Sequence, residues 1–178
     1  MPASPITRVT VNRAPVLTLW AAVVAERLGF DWNESLTLGR AVAGLNAYSK
    51  GKALGIFHPK PKALAEQRSK LKQGEELQVN LLHRAVPVVR TKEGLRAVSK
   101  GNPIAPEGVQ RYLESKFGEA FPAARKAMVA LAQSLPTADL AANAYRLYEE
   151  FRPEIPVGKK GWGVAGVLEL SRIRSTAR

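Results

Sequence analysis

The sequence predicts a mainly α fold with a small β hairpin or sheet, an α+β domain of several packed helices, and three observations carry this expectation. Apolar residues recur at helical spacing along most of the chain, they change to alternation between residues 77 and 98, and prolines and glycines stand where helices should start and stop. The 178 residues are 46% hydrophobic and 24% charged, enough to bury one core and too apolar for a disordered chain. We therefore expect one basic globular domain over residues 1–178. It comprises a flexible tail (1–5), an N-terminal helical pair (6–55), a β hairpin (77–100), C-terminal helices (106–151), and a glycine-rich loop with a basic tail (152–178).

Residues 6–11 alternate apolar and polar side chains and predict a brief strand, after which Pro15 is suited to opening a helix. Val16, Leu19, Trp20, Val23 and Leu28 fall on one face of that helix, and Gly29 is its natural stop. Asp31 and Glu34 have the spacing of a reciprocal N-terminal cap for a second helix reaching about Lys50. Gly39, Ala41, Ala43, Gly44 and Ala47 run through that helix. Each glycine costs about 1 kcal/mol relative to alanine in a helix interior, so close packing must offset them, and the helix is expected at the buried centre of the fold.

Pro59 and Pro61 break the chain, and a short basic helix is expected over residues 62–72. Leu77, Val79 and Leu81, then Val86, Val88 and Val89, lead to a turn at Lys92-Glu93-Gly94, while Pro87 predicts an edge strand or a bulge because it has no N–H for a ladder. Pro106, Pro122 and Thr137 should start three helices. Their core stripes are Val109, Leu113 and Phe117; Met128, Leu131 and Leu135; and Leu140, Ala144, Leu147 and Phe151.

Charge gives the strongest functional signal. Lys and Arg number 27 against 15 Asp and Glu, a formal net charge of +12. Thirteen basic residues oppose four acidic ones between Arg40 and Lys100, a surplus of nine, so about a third of the chain carries three quarters of the net charge. A nucleic acid is the partner such a field favours, DNA before RNA, with phosphate contacts supplying the affinity. The expected contact residues are Arg40, Lys50, Lys52, Lys60, Lys62, Arg84, Arg90, Lys92, Arg96, Lys100, Lys159 and Lys160. On the hairpin, Arg90 and Lys92 should share a face, with Arg96 returning beside them. Tyr48 near Lys50 and Lys52, and Trp162 in the glycine-rich loop, are candidate stacking residues.

Ala25-Glu26-Arg27-Leu28-Gly29-Phe30 resembles the alanine, turn glycine and following apolar residue of the helix-turn-helix family. The resemblance covers about twenty residues and departs where Ser35 occupies the first apolar offset of the second helix. It implies a helix-turn-helix or winged-helix-like arrangement, with Asn33, Thr37, Arg40 and Asn46 approaching a major groove and the basic hairpin as the wing.

The residues argue against familiar catalytic chemistry. There is no cysteine, and the only histidines are His58 and His83 and the only aspartates Asp31 and Asp139, which leaves nucleophilic triads and metal sites short of parts. Residues 161–166 satisfy GxGxxG, yet only twelve residues follow Gly166, too few for the helix and acidic residue of a dinucleotide fold. No cofactor or metal is expected. No apolar stretch is long enough for a membrane span, no secretory leader is evident, and a cytoplasmic location is expected. The sequence thus predicts a nucleic-acid-binding protein, regulatory or architectural, favouring duplex DNA. Its rivals are an RNA-binding protein, an enzyme or binding protein for a nucleotide or other small polyanion, and a protein-interaction module; homodimerisation stays open.

Overall fold

The computed structural model describes residues 8–53, 76–99, 102–153 and 165–176. Along the chain come β1 (Arg8–Asn12), α1 (Arg13–Arg27), α2 (Trp32–Ala53), β2 (Glu76–Leu81), β3 (Arg84–Thr91), β4 (Gly94–Ser99) and β5 (Asn102–Pro103). Then follow α3 (Pro106–Phe117), a 3-10 turn, α4 (Phe121–Gln133), α5 (Thr137–Phe151), β6 (Ala165–Glu169) and α6 (Leu170–Ser175). Helices and two small antiparallel sheets make this a mixed α+β architecture. The basic helix expected over residues 62–72 lies outside the described residues.

The central helix is α1, not α2. Every residue from Pro15 to Ala25 is buried, so α1 has no polar face over that stretch and packs against neighbours all round. Small alanines let the surrounding elements close in, and Trp20 anchors the far side. Its indole N–H donates to the Ala144 carbonyl of α5 at 2.8 Å, and its ring meets Phe151 edge-on at 5.3 Å. Gly29, at φ +120°, ends α1 as its sequence position predicts. The Phe30 N–H reaches the Ala25 carbonyl and the Gly29 N–H the Glu26 carbonyl, both at 3.1 Å, so the orphan carbonyls of the last turn are satisfied.

The reciprocal cap of α2 is present. The Asp31 N–H donates to Glu34 Oε1 at 3.0 Å, and the Glu34 N–H donates to Asp31 Oδ1 at 2.7 Å. Gly39 explains how α2 lies so close to α1. A Cβ there would overlap the Thr18 carbonyl oxygen and stand 2.9 Å from the Ala22 nitrogen, so the crossing requires the missing side chain.

The strand region is larger than a hairpin. β2, β3, β4 and β5 form a four-stranded antiparallel meander. Its first turn places Leu82 at φ 50° and His83 at φ 63°, the left-handed pair that suits a two-residue hairpin, without the Asn-Gly that usually announces one. Pro87 is therefore not on an edge strand, since β3 lies between β2 and β4. The ladder to β4 ends at Val88↔Ala97, so the missing proline N–H falls just past it.

Side chains of α2 satisfy the open edge of β4. The Leu95 N–H donates to Glu34 Oε2 at 2.9 Å, and the Ala97 N–H donates to Thr37 Oγ1 at 3.0 Å. The Ile104 N–H completes the edge by donating to the Ala97 carbonyl at 2.8 Å. Glu34 thus uses one carboxylate oxygen to start a helix and the other to hold a sheet.

At the C-terminal end, α3, α4 and α5 occupy the expected segments with their stripes buried, except that Leu135 is only partly so. Residues 165–175 are not simply loop and tail. β6 pairs with β1 in the register Val9↔Leu168 and Val11↔Gly166, and Leu168, Leu170 and Ile173 are buried. The pairing partner is more than 150 positions distant, which local periodicity cannot announce.

Candidate nucleic-acid interface

The hairpin between β3 and β4 brings Arg90 and Lys92 to the surface. The Thr91 hydroxyl donates to the Gly94 carbonyl at 2.8 Å, and Gly94 adopts φ +124°, which together fix a tight tip between the strands. Arg90 and Lys92 are both exposed and belong to none of the ion pairs among the described residues. By contrast, Arg8 pairs with Glu169, Arg125 with Glu26 and Arg146 with Glu150, all outside residues 40–100.

Arg96 does not join Arg90. The register sets Arg96 opposite Val89 and Arg90 opposite Leu95, which puts the two guanidinium groups on opposite faces of the sheet. Arg96 is only 7% exposed, and its Nη1 donates to the Leu95 carbonyl at 2.8 Å. A guanidinium enclosed in this way has little surface to offer a phosphate. Arg84 opens β3 in a half-buried position.

Arg40 is exposed on α2, where it lies over the Tyr112 ring of α3 with its guanidinium carbon 4.9 Å from the ring centroid. Burial raises the Tyr112 pKa, and the positive charge of Arg40 opposes that rise. Tyr112 is the residue that sequence reading missed. It precedes Leu113 of the buried stripe and follows Arg111, and an aromatic just off a core stripe beside a cation is the signal that could have found it.

The remaining candidates are dispersed. Tyr48, Lys50 and Lys52 belong to the last turns of α2. Lys60, Lys62, Lys100, Lys159, Lys160 and Trp162 lie outside the described residues. Of the face implied by the helix-turn-helix resemblance, Asn33 and Arg40 are exposed, whereas Thr37 is fully buried with its hydroxyl engaged by β4. Among the described residues no group of three or more His, Asp or Glu could hold a metal ion, and no helix is long and apolar enough to cross a membrane.

The chain matches no family model, no curated protein and no solved structure.

Proposed function

We propose that the protein binds nucleic acid, chiefly through phosphate contacts made by the region between Arg40 and Lys100. The observation that carries this reading is the placement of charge. That region holds a surplus of nine positive charges, and its described side chains Arg40, Arg90 and Lys92 are exposed without a carboxylate partner among the described residues. Like charges left unneutralised repel each other, and a phosphate backbone relieves that repulsion while releasing its own counterions.

The regulatory or architectural role and the preference for duplex DNA expected from the sequence remain proposals. Insertion of α2 into a major groove is not the arrangement we favour, because the burial of Thr37 and the crossing at Gly39 commit much of that helix to the fold. Contacts to the backbone, with little base reading by α2, fit these residues better. An RNA ligand would satisfy the same charges, so both polymers enter the test.

Fluorescence anisotropy with labelled duplex DNA, single-stranded DNA and RNA across a salt series provides it. Affinity should fall steeply with salt. An R90A/K92A double variant should reduce the log–log slope by about 1.8, given about 0.9 per phosphate contact on duplex DNA. A control that removes two exposed charges elsewhere, K116A/K126A, should leave the slope nearly unchanged. Equal effects of the two variants would discard the localised surface, and absence of binding to all three polymers at low salt would discard the reading altogether.

A further inference from the structure

We infer that Arg40 and Tyr112 form a stacking platform for an unpaired nucleic-acid base. The inference rests on the nucleic-acid reading above and sets aside its preference for duplex DNA, because it gives the ligand as a strand with accessible bases.

Two cation–aromatic pairs are described in this structure, and the difference between them carries the argument. Arg125 lies 3.8 Å from the Trp32 centroid, yet that pair is closed within the fold. Arg125 is ion-paired with Glu26 at 3.7 Å, and the Trp32 N–H donates to Gln110 Oε1 at 2.9 Å. Such a pair binds together α1, α2, α3 and α4, and its charge is already opposed by Glu26. Arg40 lies over Tyr112 at 4.9 Å without a carboxylate partner among the described residues, and it is exposed where Arg125 is half-buried.

An exposed arginine ordinarily samples many rotamers, so fixing one for a ligand costs entropy. Arg40 is braced in advance by the Tyr112 ring. A guanidinium that meets a ring on one side and is exposed on another is able to accept a base by stacking while its N–H groups donate to a neighbouring phosphate. The ground beside the pair is open on each helix. Gly44 lies one turn after Arg40 and Gly108 one turn before Tyr112, and at neither would a Cβ meet any heavy atom within 4 Å.

Position along the chain adds the electrostatic reason. Residues 1–39 hold three basic and three acidic side chains, so Arg40 is where the positive surplus begins. Stacking requires bases that a continuous duplex hides.

The test compares a single-stranded oligonucleotide, an abasic strand of the same length and the duplex, using the wild-type protein, Arg40→Lys and Tyr112→Leu. Arg40→Lys keeps the charge and removes the plane, and as an exposed substitution it should fold, which thermal melting verifies. Both variants should weaken binding of the native strand by about tenfold to a hundredfold, the range of base–aromatic stacking, and leave the abasic strand nearly unchanged. If the abasic strand binds wild type as tightly as the native strand, or if Arg40→Lys weakens both equally, the platform is overturned while the basic surface stands. If neither strand nor the duplex binds, the underlying reading falls and the platform with it.

Discussion

Residues 106–151 carry five basic and six acidic side chains, whereas residues 40–100 carry thirteen and four. The two regions also attach to the central helices by different means. α5 is joined to α1 by large apolar surfaces, with Trp20, Tyr148 and Phe151 packed edge to face. β4 is joined to α2 by the carboxylate of Glu34 and the hydroxyl of Thr37, which satisfy two backbone N–H groups at the sheet edge. Apolar packing is non-directional and collective, so the helical region is tied through many atoms at once. Hydrogen bonds at a strand edge are few and directional, so the sheet, whose Leu81, Val86, Val88 and Ala97 also enter the apolar core, depends in addition on single polar groups. The region with the concentrated charge is thus attached partly through directional polar contacts, which single substitutions can remove.

The most severe way to break this comparison is at the apolar joint. Trp20→Ala removes a fully buried indole from between α1 and α5, and a deletion of that size costs about 3–5 kcal/mol. Because α1 is buried on all sides, the loss should be global. Urea unfolding should show a lower midpoint with unchanged slope, and hydrogen exchange should speed up in the helices and the sheet alike. A loss confined to α5 would mean that the two regions unfold independently.

Thr37→Val tests the polar joint with almost no change of volume. The substitution leaves the buried Ala97 N–H without its acceptor, which costs about 1–3 kcal/mol. Exchange of the Ala97 amide should accelerate more than that of amides in α1, because local opening of β4 becomes easier than global unfolding. Uniform acceleration across the molecule would show that the sheet edge is not the weak joint.

How much of this was legible in the sequence also divides along the two regions. The helical region was readable because its signals are local. Prolines start helices, Gly29 ends one, Asp31 and Glu34 cap another, and the stripes from Val109 to Phe151 follow helical spacing. In the strand region the signals were long-range or atypical. Leu82-His83 turns a hairpin without glycine or asparagine, Pro87 lies inside a sheet because a ladder ends beside it, and Arg96 is directed away from Arg90 by a register that composition does not reveal. The candidate site was therefore legible as a charged stretch and illegible as a surface. Tyr112, its aromatic member, comes from the helical region and meets Arg40 only through the packing of α3 on α2.

The finest distinction concerns two glycines in one helix. Gly39 and Gly44 of α2 are five positions apart, and propensity alone assigns each the same gain of about 1 kcal/mol on replacement by alanine. The structure separates them. At Gly39 the added methyl would meet the Thr18 carbonyl and the Ala22 nitrogen, which are backbone atoms of a fully buried helix and cannot move without moving α1. Overpacking of this kind costs about 1–3 kcal/mol, so Gly39→Ala should be net destabilising despite its better propensity. At Gly44 nothing stands within 4 Å, so Gly44→Ala should raise stability by up to about 1 kcal/mol. Opposite signs in paired thermal melts would show that the small residues of α2 serve two purposes, close crossing over α1 at Gly39 and open ground beside Arg40 at Gly44. Stabilisation by both would remove the close crossing as the reason for Gly39 and return α2 to an ordinary surface helix.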